Sequence, residues 1–157
     1  MNNVSIRNRL TDCEFFSKFD DEFLDVLSEK AIERRIEAGK IVFRQGEHAD
    51  KFYLLLSGRI TVEIPSVYGP SIEIQNLGAN QILGWSWLIS PYQWEFQAKV
   101  EEEAGLIEFD GKSLLEYCEK NPQFGYKLLS SFAVLMSQRL FAARRRMMDE
   151  WNPAGFA

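Results

Sequence analysis

A mainly β chain with helices at both ends is what the sequence predicts, and three observations carry that expectation. Glycines at 39, 46 and 58 punctuate apolar runs of strand length, from Ile36 onward. Ahead of them, apolar residues recur at three- and four-residue steps, the spacing of one helix face. The longest pattern of that kind closes the chain after Pro122.

The leading helical segment is expected over about residues 12–35. Phe15, Phe16, Phe19, Phe23, Leu24, Leu27 and Ile32 form its stripe, and Asp20 or Asp21 is placed to cap a second helix before Phe23. The β-rich part follows over about 36–110. Lys40–Arg44 and Arg59–Ile64 alternate with a period near two, as half-buried strands do. Pro65–Pro70 interrupts as a hairpin loop, Ser71–Leu77 returns as a strand, and Gln97–Val100 and Gly105–Phe109 add two more. Glycine suits the corners because it adopts positive φ at little cost. Many short strands with regular turns point to a sandwich or jelly-roll barrel.

The C-terminal helices are expected over about 111–150. The first starts at Asp110-Gly111-Lys112-Ser113, and Asn121-Pro122 separates it from the second. The second carries Leu128, Leu129, Phe132, Leu135, Met136, Leu140, Ala143 and Met147 on one broad stripe. A helix from Gln123 to Asp149 spans about 40 Å, more than a domain of this size needs for its own packing. An overhanging apolar stripe calls for a second surface, and a two-fold partner helix supplies it. Leu129, Phe132, Met136, Leu140, Ala143 and Met147 are the expected dimer contacts. Trp151–Ala157 reads as a short tail.

Composition narrows the function. The 157 residues fit a single domain, 1–157, and 46% hydrophobic with 26% charged residues is ordinary for a folded protein. A net charge of -5 gives no general attraction to nucleic acid, and Arg144-Arg145-Arg146 reads as a solvated helix end. No apolar run reaches membrane-spanning length and the N-terminus lacks a signal core, so the expected location is cytoplasmic, with no membrane partner. Cys13 and Cys118 match no CxxC spacing and read as reduced structural thiols. His48 is the only histidine, in an exposed turn, which argues against a metal centre, a haem sensor and a His-dependent enzyme. No cofactor is expected with certainty, and the reading is non-enzymatic.

The chemistry concentrates in Leu83–Val100, LGWSWLISPYQWEFQAKV, which holds three of the four tryptophans. Trp87 reads as core filling. Trp85 and Trp94 fit core and pocket lining equally well.

In combination, these segments resemble the cyclic-nucleotide-binding domain, as found in the effector domain of Crp/Fnr regulators. Glu37–Glu47 (EAGKIVFRQGE) is similar to the family's first glycine turn and strand, Phe52–Ile60 (FYLLLSGRI) to its second, and Leu106–Asp110 to the strand leading into the last helices. The resemblance covers about Phe15 to Met147. It implies a double-stranded β-helix (jelly-roll) of the cyclic-nucleotide-binding type, with two N-terminal helices and a long C-terminal helix.

The resemblance also implies a phosphate-binding cassette in which a glycine and a glutamate precede a short helix, and Arg-Ser/Thr-Ala follows. Gly84 and Ala98 match its ends, Trp85 stands at the glutamate, Phe96 at the arginine and Gln97 at the Ser/Thr position. No arginine occurs between Arg59 and Arg139, and Lys99, the nearest cation, offers a point charge rather than a planar fork. A cyclic phosphate would be poorly compensated here. The implied site comprises Gly84, Trp85, Ser86, Trp87, Leu88, Trp94, Phe96, Gln97, Ala98 and Lys99, with Arg139 and Ala143 from the helix that closes over the base in the family. The expected function is a regulatory or adaptor module for an unknown small ligand or partner protein, with cyclic nucleotide disfavoured. The alternative is genuine cyclic AMP or cyclic GMP binding through backbone amides and Lys99. Crp/Fnr regulators continue into a helix-turn-helix domain, and with the sequence ending at Ala157 no nucleic-acid partner is expected.

Overall fold

A computed structural model of the protein describes residues 3–151, with side-chain environments through Asp149. Helix α1 (Asn3–Thr11) leads into a 3₁₀ turn at Glu14–Phe16 and helix α2 (Asp21–Glu29). Asp20 caps α2 by accepting a hydrogen bond from Phe23 N–H at 3.0 Å. Six strands follow: β1 (Ala31–Ile36), β2 (Ile41–Phe43), β3 (Lys51–Ile64), β4 (Ile72–Leu77), β5 (Ile82–Leu83) and β6 (Gln97–Asp110). Helices α3 (Gly111–Lys120) and α4 (Pro122–Trp151) complete the described chain.

The helical expectation for 12–35 needs correction at both ends. Residues 31–36 are a strand, paired antiparallel to β6 from Ala31↔Phe109 to Ile36↔Ala104. Ile32, counted in the helical stripe, is exposed on that strand. Helix α1 lies in sequence that carried no expectation, and it buries Ile6 and Leu10. The tail beyond residue 151 lies outside the described residues.

Two long strands form the roll. β6 and β3 pair antiparallel from Lys51↔Asp110 to Glu63↔Gln97, with register shifts between Leu55 and Ile60 where the ribbon bends. The bend demands glycine at 58: φ is +86° and a Cβ there would lie 2.2 Å from the Glu103 carbonyl oxygen. Hence Gln97–Val100 and Gly105–Phe109, expected as two strands, are halves of one. β1 and β2 add to β6, while β4 and β5 add to β3, giving the expected roll with flanking helices. Among the described residues no helix is long and apolar enough to cross a membrane.

The core lies between the roll and the helices. Phe16, Phe52, Phe109 and Phe132 are fully buried, with Phe52 and Phe109 stacked at 4.4 Å. The broad stripe of α4 splits in two. Phe124, Leu128 and Phe132 turn inward, while Leu129, Leu140 and Met147 are 56%, 71% and 61% exposed. Phe132 is therefore corrected from dimer contact to core: its ring meets Phe15, Phe52 and Trp87 edge-on. Ala133, one residue on, is exposed and continues the outer 3–4 spacing 129, 133, 136, 140, 143, 147.

Candidate functional site

The strand from β5 runs into a bend at Gly84, where φ is +97° and a Cβ would sit 2.8 Å from the Trp94 ring. The 3₁₀ turn Ser86–Leu88 follows, then a cis Ser90–Pro91 peptide and the aromatic return to β6. That return is laced to the Gly46 turn. Gly46 N–H donates to the Trp94 carbonyl (2.8 Å), Trp94 N–H to Glu47 (2.9 Å) and Ala49 N–H to Tyr92 (2.8 Å). These bonds lay the Trp94 ring flat on Phe43, with centroids 3.7 Å apart and planes within 8°. His48, exposed, bridges to Gln93 in the same ladder.

Between this loop, β4 and α4 lies a cavity of about 1030 Å³. Eight of the twelve expected ligand-site residues line it: Gly84, Trp85, Ser86, Leu88, Trp94, Phe96, Arg139 and Ala143. The two replacements in the cassette, Trp85 and Phe96, meet edge-on on its wall at 6.5 Å. Trp94 serves both roles, buried against Phe43 yet bordering the cavity.

Four expected residues do not line it. Trp87 is 1% exposed and faces the core, stacked on Phe52 at 4.9 Å. Its ring leaves no room for a side chain at Gly111, whose Cβ would lie 2.7 Å away. Ala98 is fully buried in the sheet opposite Val62, and Gln97 donates to Glu63 Oε1 at 2.8 Å. Lys99 alternates with the buried Ala98 and Val100 and so falls on the other strand face.

Other residues join the wall unannounced. Glu73 and Ile74 come from β4 and Phe43 from β2, brought in by strand closure that no local pattern reveals. Arg146 lines the cavity and donates to the Ile74 carbonyl at 3.2 Å. Arg144, Arg145 and Arg146 are all exposed, as a solvated stretch of helix would be, and the contact of Arg146 with the cavity wall is what that reading lacked. Leu129, Ala133, Met136 and Leu140 supply the helix wall.

The walls are predominantly hydrocarbon and aromatic, with Glu73, Arg139 and Arg146 as their ionisable groups. Arg139 stands between this cavity and a second one of about 480 Å³ beside the Glu14–Lys18 segment. Its guanidinium donates to the Ile82 carbonyl, while its Nε is buried without a hydrogen-bond partner. Among the described residues no carboxylate pairs with it. Burial lowers its pKa to about 10, since desolvation disfavours the cation. Both cysteines are free and neither lines the cavity. Among the described residues no three His, Cys, Asp or Glu side chains cluster as metal ligands would.

No curated protein gives a match to the sequence. Solved structures do resemble it. A protein of Geobacter metallireducens GS-15 classed as cyclic nucleotide-binding is 26% identical, with TM-score 0.78 over 85% of this chain and 97% of that one. The sensor domain of the transcriptional regulator DNR from Pseudomonas aeruginosa is 20% identical, with TM-score 0.72 over 88% and 93%. The regulatory domain of Toxoplasma gondii PKA, co-crystallised with cyclic AMP, is 17% identical, with TM-score 0.70 over 88% of this chain and 49% of that one. The family model for the cyclic nucleotide-binding domain matches residues 33–121, more than half of the sequence, and the chain belongs to that family.

Proposed function

We propose that the protein is a cytoplasmic, non-enzymatic sensory module whose pocket no longer takes cyclic AMP in the family's usual way, and that it works as a homodimer through α4. One observation carries the reading. Trp85 and Phe96, aligned with the cassette's glutamate and arginine, both line the cavity, and the cassette contributes no cation to it. A ribose hydroxyl and a cyclic phosphate would lie against indole and phenyl rings, losing hydration without gaining partners.

Transmission follows from the packing. The 3₁₀ turn presents Ser86 and Leu88 to the cavity and Trp87 to the core, where it touches Phe132 of α4. Occupancy that displaces the turn changes how α4 docks, and the outer face of α4 carries that change to a second copy.

The test is isothermal titration with cyclic AMP and cyclic GMP. The expected result is no binding below millimolar concentrations. Micromolar affinity for either nucleotide sinks this reading in favour of genuine cyclic-nucleotide binding.

A further inference from the structure

We propose that the cavity takes a hydrophobic monoanion, an apolar or aromatic body with one carboxylate, and that Arg139 of α4 receives the head group. The inference rests on the module being a ligand sensor and names the chemical class of its ligand.

The walls set the body. Phe43, Trp94, Leu83, Leu88, Phe96 and Met136 offer few polar partners, so a ligand with many donors and acceptors would forfeit its hydration. An alkyl chain or fused ring gains by the same contacts. The charges set the head. Glu73, Arg139 and Arg146 are the ionisable groups on the wall, and of these Arg139 is the buried cation. Arg146 is already engaged with the Ile74 carbonyl. Arg139 meets only a neutral carbonyl, its Nε is buried and unmatched, and no described carboxylate answers its charge. A desolvated cation without a counter-ion is unfavourable, and an incoming carboxylate relieves that cost with charge-assisted, planar hydrogen bonds. The anion site thus lies on the long helix and not in the cassette, and head-group binding pulls directly on the element that transmits the signal.

The probes are dodecanoate and its neutral counterpart 1-dodecanol, with binding read from the fluorescence of Trp85 and Trp94. Dodecanoate should bind at least about tenfold more tightly than dodecanol, the scale of one charge-assisted contact. Arg139→Gln should erase that preference, read as the ratio of the two affinities measured in the same variant. Arg139→Lys keeps the charge but loses the fork, so it should retain part of the preference, and it carries the test if the glutamine variant does not fold. Equal binding of acid and alcohol, or a preference that survives in both variants, overturns the anion site while leaving an apolar ligand pocket intact. If neither compound binds up to its solubility limit, the pocket reading itself falls, and with it this inference.

Discussion

Trp87 and Phe132 meet edge to face, their ring centroids 5.3 Å apart and their planes at 74°. The contact joins the turn that borders the cavity to the helix that forms its opposite wall. Behind Trp87, Phe52 stacks at 4.9 Å, and Gly111 leaves just enough room for the indole at the start of α3. The turn therefore cannot shift without moving a ring that is locked against three other elements. Close packing makes such a junction respond in discrete steps rather than by gradual yielding.

Truncating either ring should be costly. Trp87→Ala and Phe132→Ala are each expected to lose about 3–5 kcal/mol, because both side chains are fully enclosed. In urea denaturation the double variant should lose less than the two single losses combined, by about 0.5–1.5 kcal/mol for the shared ring contact. Strict additivity contradicts a direct coupling between turn and helix.

The residues that were legible in the sequence share a cause, as do those that were not. Gly39, Gly46 and Gly58 all take positive φ and mark real corners, because local backbone strain is written in local sequence. Trp87 could be assigned to the core through the short helix that the family resemblance implies, and it is buried there. Strand β1 hid because residues 32–35 are all exposed, so it shows no alternation and borrows its order from β6. Phe132 was grouped with the outer face of α4 because a stripe serving two surfaces looks continuous in one dimension. Glu73 and Arg146, on the polar side of the cavity, were hidden for a third reason. Glu73 and Arg146 lie 73 positions apart, by subtraction of their numbers, and only closure of the roll sets them on one wall.

The outer face of α4 yields a prediction that separates dimerisation from ligand binding. Met147 is 61% exposed, continues the 3–4 spacing from Leu129 and does not border the cavity. Met147→Glu should therefore weaken self-association and leave the fold within about 0.5 kcal/mol of the unmodified protein, as surface changes usually do. Size-exclusion chromatography with light scattering over a concentration series reads both species. A protein that is monomeric throughout the series before substitution contradicts the homodimer.

Asp110 gives a pH-dependent prediction at the junction of roll and helices. Its carboxylate caps α3, accepting from Ser113 N–H at 3.2 Å and from Ser113 Oγ at 2.8 Å. Partial burial works against ionisation, but the two Ser113 hydrogen bonds and the charges of Lys51 and Lys30 outweigh it, so the pKa falls below the usual aspartate range. A carboxyl whose pKa is lower folded than unfolded adds stability in full above its unfolded pKa, near about 4, and loses that stability as pH drops through the folded value. Asp110→Ala should thus cost about 1 kcal/mol at pH 7, the usual size of a lost N-cap. The gap between variant and unmodified protein should narrow as the pH is lowered toward 3, because protonation weakens the cap of the unmodified protein alone. Asp110→Asn should keep most of the stability at pH 7, since asparagine also caps, and should lack the acid-dependent part. Urea denaturation of the three proteins at pH 7 and pH 3 measures all of this, and an alanine penalty equal at both pH values contradicts an ionised cap.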